Sequence, residues 1–202
     1  MTKVDLKKDL KHLYHASSKE PVIVEVPAFD FLMLDGAGDP NGSPHFQAAV
    51  EALFSVAYTL KFMVKKEKGV DYGVMPLEGL WYADDMSQFS PDRKDLWKWT
   101  LMIVQPEYVT SNLVRLALEQ VAKKKKLAPL ARMKFLKYRE GLAAQILHLG
   151  PYGDEWPAVA RLRAFIQEKG GQLRGKHHEI YLSDPRRTAP EKLKTILRQP
   201  IA

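Results

Sequence analysis

Two short stretches carry residue types that can do chemistry together. His177-His178-Glu179-Ile180-Tyr181-Leu182-Ser183-Asp184 reads as extended chain, in which successive side chains project to opposite faces. His177, Glu179, Tyr181 and Ser183 then share one face, with His178, Ile180 and Leu182 on the other, so a carboxylate stands beside a phenol. Far upstream, Gly79-Leu80-Trp81-Tyr82-Ala83-Asp84 repeats the pattern, with Trp81 where Tyr181 sits. If the two segments meet across a pseudo-twofold axis, Glu179, Tyr181 and Trp81 converge on one cleft. Rings there can stack on a flat molecule, while the carboxylate attracts a positive charge or acts as a general base. Gly79, in register with Glu179, leaves room for a ligand or for the partner strand. Each residue also has an ordinary alternative: Glu179 as a solvent-facing strand glutamate, Trp81 and Tyr181 as core between sheet and helix.

Further candidates for the pocket follow from the neighbouring elements. Trp99 is the next choice for its wall, with Met75 and Met102 nearby in sheet order, and Tyr152 and Trp156 at the start of a helix are placed to close the mouth or to form a hydrophobic staple. Other chemistries lack an anchor. The six histidines are scattered and show no HExxH spacing, so no metal is expected, and no cofactor motif is present. Gly36-Ala37-Gly38 follows a strand, but its third glycine is misplaced and Asp35 and Asp39 would repel phosphate, so it reads as a turn. There is no GxSxG elbow or SxxK pair for nucleophilic acyl transfer.

These residues belong to a chain of 202 amino acids, 46% hydrophobic and 27% charged, ordinary values for a globular protein long enough to bury a core. It contains no cysteine, which removes disulfides, thiolate metal sites and a thiol nucleophile and fits a reducing cytoplasm. No apolar run reaches the roughly 20 residues of a membrane span, and Met1 to Lys8 has no leader-like pattern, so a cytoplasmic location without membrane contact is expected. The net charge of +7 allows an anionic partner. Its one dense run, Lys123 to Lys126, falls at a helix end where the helix dipole favours cations, and no nucleic-acid-binding pattern accompanies it. A nucleic-acid partner is therefore not expected, and the protein is read as a monomer.

Periodicity supplies the elements that must hold the site. Residues 1 to 19 read as a short amphipathic helical arm. Val22 to Val26 and Phe29 to Asp35 read as two strands broken by Pro27. Ser43 caps, and Pro44 opens, a helix of some 22 residues with Phe46, Val50, Leu53, Ala57, Leu60 and Val64 on one stripe. Strands follow over Tyr72 to Ala83 and Trp97 to Val104, then a helix capped by Thr110. After a basic, proline-broken linker from Lys123 to Pro129 come strands over Met133 to Tyr138 and Leu142 to Leu149, a helix over Asp154 to Gln167, and strands over Gly175 to Asp184 and Thr195 to Ile201. Strand, helix, strand, strand thus occurs twice, with Gly36 matching Gly150, Asp84 matching Asp184, and Gln105-Pro106 matching Gln199-Pro200, the mark of an internal duplication.

His148-Leu149-Gly150-Pro151-Tyr152, Glu179-Ile180-Tyr181-Leu182-Ser183-Asp184-Pro185 and the closing Pro200-Ile201 resemble the signature of the GyrI-like small-molecule-binding family. The first half resembles a stand-alone branch of it through Leu6 to Tyr14, Asp35-Gly36-Ala37-Gly38-Asp39-Pro40-Asn41, Met75 to Trp81 and Trp99 to Ile103. The resemblance implies an α+β fold of two tandem β-α-β-β (SHS2-type) modules related by a pseudo-twofold axis. Their antiparallel sheets would carry helices on one face and a ligand cleft on the other. Its expected parts are an arm over 1-20, a first module with its linking helix over 21-126 and a second module over 127-202, all within one domain over 1-202. In related multidrug-binding regulators the glutamate matching Glu179 faces cationic aromatic compounds, whereas no DNA-binding module is read here. The stand-alone branch is similar to cyclopropanoid cyclopropyl hydrolases, which implies Glu179 as the group that activates water and Tyr181 as a donor to the carbonyl. Relatives that inhibit DNA gyrase imply a rival role as a non-enzymatic binder of a protein or DNA partner.

Overall fold

A computed structural model describes residues 2–202, which form a mixed α+β protein divided into two compact units. The division does not follow the chain at a single linker. One unit holds residues up to 9, 29–75 and 82–138; the other holds 10–28, 76–81 and 139–202.

In the first unit, Thr2–Val4 (β1) pairs in parallel with a short strand, Val70–Tyr72, and Leu6–Asp9 (α1) follows β1. The strand Val22–Ala37 (β2), which belongs to this unit from Phe29 on, runs through Pro27 without a break, because proline's fixed φ suits extended chain and costs only a donor. Its residues 30–37 pair antiparallel with Lys98–Gln105. Between them lies Pro44–Lys68, a helix of 25 residues. Ser43 Oγ accepts the Phe46 amide at its start, and Gly69, at φ 67°, ends it in the left-handed conformation that glycine adopts without a Cβ clash. Leu53, Ala57, Leu60 and Val64 are buried, as the periodic stripe requires. Ser111–Lys124, capped by Thr110, lies against this long helix and ends in Lys123 and Lys124.

The second unit contains Lys11–Tyr14 (α2) and a four-stranded antiparallel sheet. In chain order its strands are Leu77–Tyr82 up to residue 81 (β4, after β3 at Val70–Tyr72), Lys134–Leu149 from residue 139 on (β6, after β5 at Lys98–Gln105), His177–Tyr181 (β7) and Lys194–Pro200 (β8). The spatial order is β4-β7-β8-β6. The stretch expected as one strand over Tyr72 to Ala83 is therefore two, and its second part belongs here because Gly79 faces Glu179 across the β4–β7 ladder. Similarly, the two strands expected around 133–149 are one, bent at Gly141, whose φ of 77° needs glycine. The helix Trp156–Glu168 (α5, numbered after α3 at Pro44–Lys68 and α4 at Ser111–Lys124) packs Val159, Leu162 and Ile166 on Ala144 and Ile146 of β6 and Leu197 of β8.

Register decides which face the candidate site occupies. Glu179 stands opposite Leu197, which stands opposite Ile146, so all three share the face that α5 covers. The expectation of helices on one face and the carboxylate on the other is corrected within this unit: helix and carboxylate lie side by side on one face. The opposite face carries a buried polar network that Leu13 and Tyr14 of α2 join. Among the described residues no helix is long and apolar enough to cross a membrane.

Candidate functional site

Strand alternation and the β4–β7 ladder bring Gly79, Trp81, His177, Glu179 and Tyr181 onto one patch. Gly79 pairs with Glu179, Leu77 with Tyr181 and Trp81 with His177. The side chains form a directed chain of hydrogen bonds. Trp81 Nε1–H donates to the Tyr181 hydroxyl at 3.0 Å, and that hydroxyl donates to Glu179 Oε2 at 2.7 Å. His177 Nε2 lies 3.4 Å from Glu179 Oε1. The Glu179 residue is only 9% exposed and Trp81 3%, so the carboxylate is largely withdrawn from water among aromatic groups. Buried charges of this kind persist only with partners, which Tyr181 and His177 provide.

The space beside Gly79 is taken by these groups. A Cβ at this position would stand 2.8 Å from Trp81 Nε1 and 3.2 Å from the Tyr181 hydroxyl, so glycine is what lets the chain form across the strand pair. Tyr152, on the turn before α5, sets its ring edge-on to Tyr181 with centroids 5.5 Å apart. Burial, then the Glu179 charge, push the Tyr181 phenol well above its ordinary range. Burial, then Glu155 and Glu179, push Tyr152 up to about 12. Both phenols hold their protons at neutral pH, and Tyr181 donates its own to Glu179.

The other predicted residues have packing partners of their own. Trp156 packs on the apolar cluster under α5, with the Arg163 guanidinium 5.8 Å from its ring centroid. Trp99 belongs to the first unit, where it lies across Gly36 and meets the Phe46 ring at 5.3 Å. Met75 and Met102 are buried in the same unit, and strand alternation sends Met102 to the face of β5 opposite Trp99.

Sequence reasoning missed the network on the reverse face of the sheet. His178 is 1% exposed, with Nδ1 2.9 Å from Glu140 Oε1 and Nε2 3.0 Å from Glu78 Oε2. Tyr14 of α2 donates to Glu78 Oε1 at 2.7 Å. Arg198, 2% exposed, donates to Glu140, to Gln145 Oε1 and to the Leu13 carbonyl. Two carboxylates, one guanidinium and one imidazole balance when His178 is protonated. Burial alone would lower the His178 pKa, but Glu140 and Glu78 outweigh it and raise it to about 9. Burial would likewise raise Glu140, yet His178 and Arg198 hold it at about 2. A usable signal was present for one member: Arg198 follows Ile196 and Leu197 in a strand that is buried almost throughout, where charge survives only if paired.

The chain is a mixed α+β protein whose sheet sets a withdrawn carboxylate beside a phenol that donates to it and an indole that donates to the phenol. Residues 19–202 match the GyrI-like small molecule binding domain, and the chain belongs to that family. An uncharacterized conserved protein from Listeria innocua is 39% identical, with a TM-score of 0.90 over 98% of this chain and 100% of its own. A hydrolase from Listeria innocua is 38% identical, with a TM-score of 0.84 over the same shares, 98% and 100%. The C-terminal domain of EcmrR shares the fold at 13% identity, with a TM-score of 0.56 over 91% of this chain and 97% of that domain. Among curated proteins none is similar enough to match.

Proposed function

We propose that the Glu179 patch binds planar aromatic compounds, cationic ones best, and hydrolyses those that carry a strained cyclopropane. The observation that carries this reading is the hydrogen-bonded series Trp81, Tyr181, Glu179 on one sheet face, with the Tyr152 ring beside it. A carboxylate largely stripped of water gains more from an arriving cation than an exposed one does. Neighbouring rings add dispersion and attraction for positive charge. The hydrolase from Listeria innocua, 38% identical over nearly the whole chain, supports the enzymatic half of the proposal.

In the proposed reaction a water molecule gives a proton to Glu179 as its oxygen attacks a cyclopropane carbon. The ring C–C bond breaks and its electron pair moves into the conjugated carbonyl, leaving a phenolate that then takes up a proton. Ring strain supplies much of the driving force, so one positioned base suffices. Tyr181 spends its proton on Glu179 Oε2, so it positions the base.

Fluorescence titration with a rhodamine tests binding. The wild-type protein should saturate, and Glu179→Gln should weaken the cationic dye by about 10- to 100-fold, the scale of a lost charge-assisted contact. The same variant should keep most affinity for a neutral flat compound while losing turnover of a cyclopropane-bearing alkylator. Unsaturable dye binding, or hydrolysis undiminished in Glu179→Gln, would reject the proposal.

A further inference from the structure

The two phenols beside Glu179 differ in what they have left to offer. A phenol owns one proton and an indole one N–H. Trp81 gives its N–H to Tyr181, and Tyr181 gives its proton to Glu179, so this inner series ends with no donor directed at a bound molecule. What it presents is the lone pairs of the carboxylate. A ligand that carries an acceptor oxygen finds nothing in it to bond.

Tyr152 is placed differently. Its side chain contacts the Tyr181 ring edge-on at 79°, and among the described residues its hydroxyl has no hydrogen-bond partner. It is 37% exposed and stands at the solvent side of the patch, on the turn Tyr152–Asp154 that leads into α5. Its ring centroid is 5.5 Å from that of Tyr181, whose hydroxyl is bonded to Glu179 Oε2 at 2.7 Å, so one phenol separates it from the carboxylate. A donor whose proton is unspent, adjacent to a withdrawn carboxylate, makes a two-point contact: the carboxylate for a cation or N–H, the phenol for an oxygen.

We propose that the Tyr152 hydroxyl is the hydrogen-bond donor of the site and selects, among flat ligands, those bearing a carbonyl or similar acceptor oxygen at their edge. The inference rests on the ligand-binding reading above and names the ligand class more narrowly. In a hydrolytic turnover the same hydroxyl would meet the carbonyl oxygen as negative charge develops on it. Tyr181 is then a positioning residue that acts through Glu179.

Two probes with one ring shape separate these roles: an anthracene and an anthraquinone, each bearing the same trimethylammoniomethyl group. Their dissociation constants are measured by calorimetry on wild type, Tyr152→Phe and Tyr181→Phe. Phenylalanine at 152 keeps the edge-on ring contact and removes only the hydroxyl. Tyr152→Phe should weaken the anthraquinone about fivefold, as one net hydrogen bond does, and leave the anthracene unchanged. Tyr181→Phe should weaken both alike, because both rely on the seated carboxylate. A carbonyl preference that survives Tyr152→Phe, or that disappears in Tyr181→Phe instead, would overturn the assignment. Wild-type protein that binds neither probe would sink the ligand-binding reading itself, and the donor role with it.

Discussion

Arg198→Met tests whether the reverse-face network holds the second unit together. Methionine nearly fills the volume of the arginine stem, so the change is chiefly electrostatic. It removes the donors to Gln145 Oε1 at 3.0 and 2.9 Å, to the Leu13 carbonyl at 2.6 Å and to Glu140 Oε2 at 3.2 Å. Glu140 then keeps only His178, and the arm loses the bond that ties Leu13 to β8. Breaking one side of a buried ion pair costs about 4 kcal/mol. For a chain of this size that lowers Tm by roughly 8 to 16 °C. Urea unfolding followed by both tryptophan fluorescence and circular dichroism gives the free energy, provided the two transitions coincide. Adding Glu140→Leu to Arg198→Met should recover about 2 kcal/mol, because it removes the stranded carboxylate while His178 still has Glu78. A single-variant loss below about 1 kcal/mol, or strict additivity in the double variant, would refute the account of Arg198 as the counter-charge of Glu140.

The same network dictates a pH dependence. His178 has its pKa raised from 6.5 to about 9, so its contribution is complete below 6.5 and is lost as pH rises through 9. Glu140 is lowered from 4.5 to about 2, so its contribution is complete above 4.5 and is lost as pH falls through 2. Stability from this pair should therefore plateau between pH 4.5 and 6.5, and thermal melts that improve from pH 7 to 9 would contradict it. At the patch, Gly79→Ala sets a Cβ 2.8 Å from Trp81 Nε1, and with Trp81 only 3% exposed the indole has little room to yield. The variant should lose about 1 to 3 kcal/mol of stability and weaken rhodamine binding several-fold; wild-type affinity and melting would show that the Trp81–Tyr181 bond is dispensable.

Much of this protein can be read from local pattern, since local pattern reflects backbone geometry. Alternation in a strand put His177, Glu179 and Tyr181 on one face, as observed, because the pleat leaves no choice. Ser43 and Thr110 announced the starts of two helices through hydroxyls that accept the Phe46 and Leu113 amides. The short motifs around Gly150 and Glu179 also led to the family that residues 19–202 match. Long-range packing decided the rest. Nothing near Pro27 or Gly141 says that a strand continues through each, because neighbouring chain supplies the partners that hold it extended. Whether α5 and Glu179 lie on the same face depends on the β6–β8–β7 register, a relation among residues as far apart in the chain as Ile146 and Leu197. Charge pairing is longer-range still: Tyr14, Glu78, Glu140, His178 and Arg198 come from five separate segments, and only folding shows that each buried charge has its counterpart.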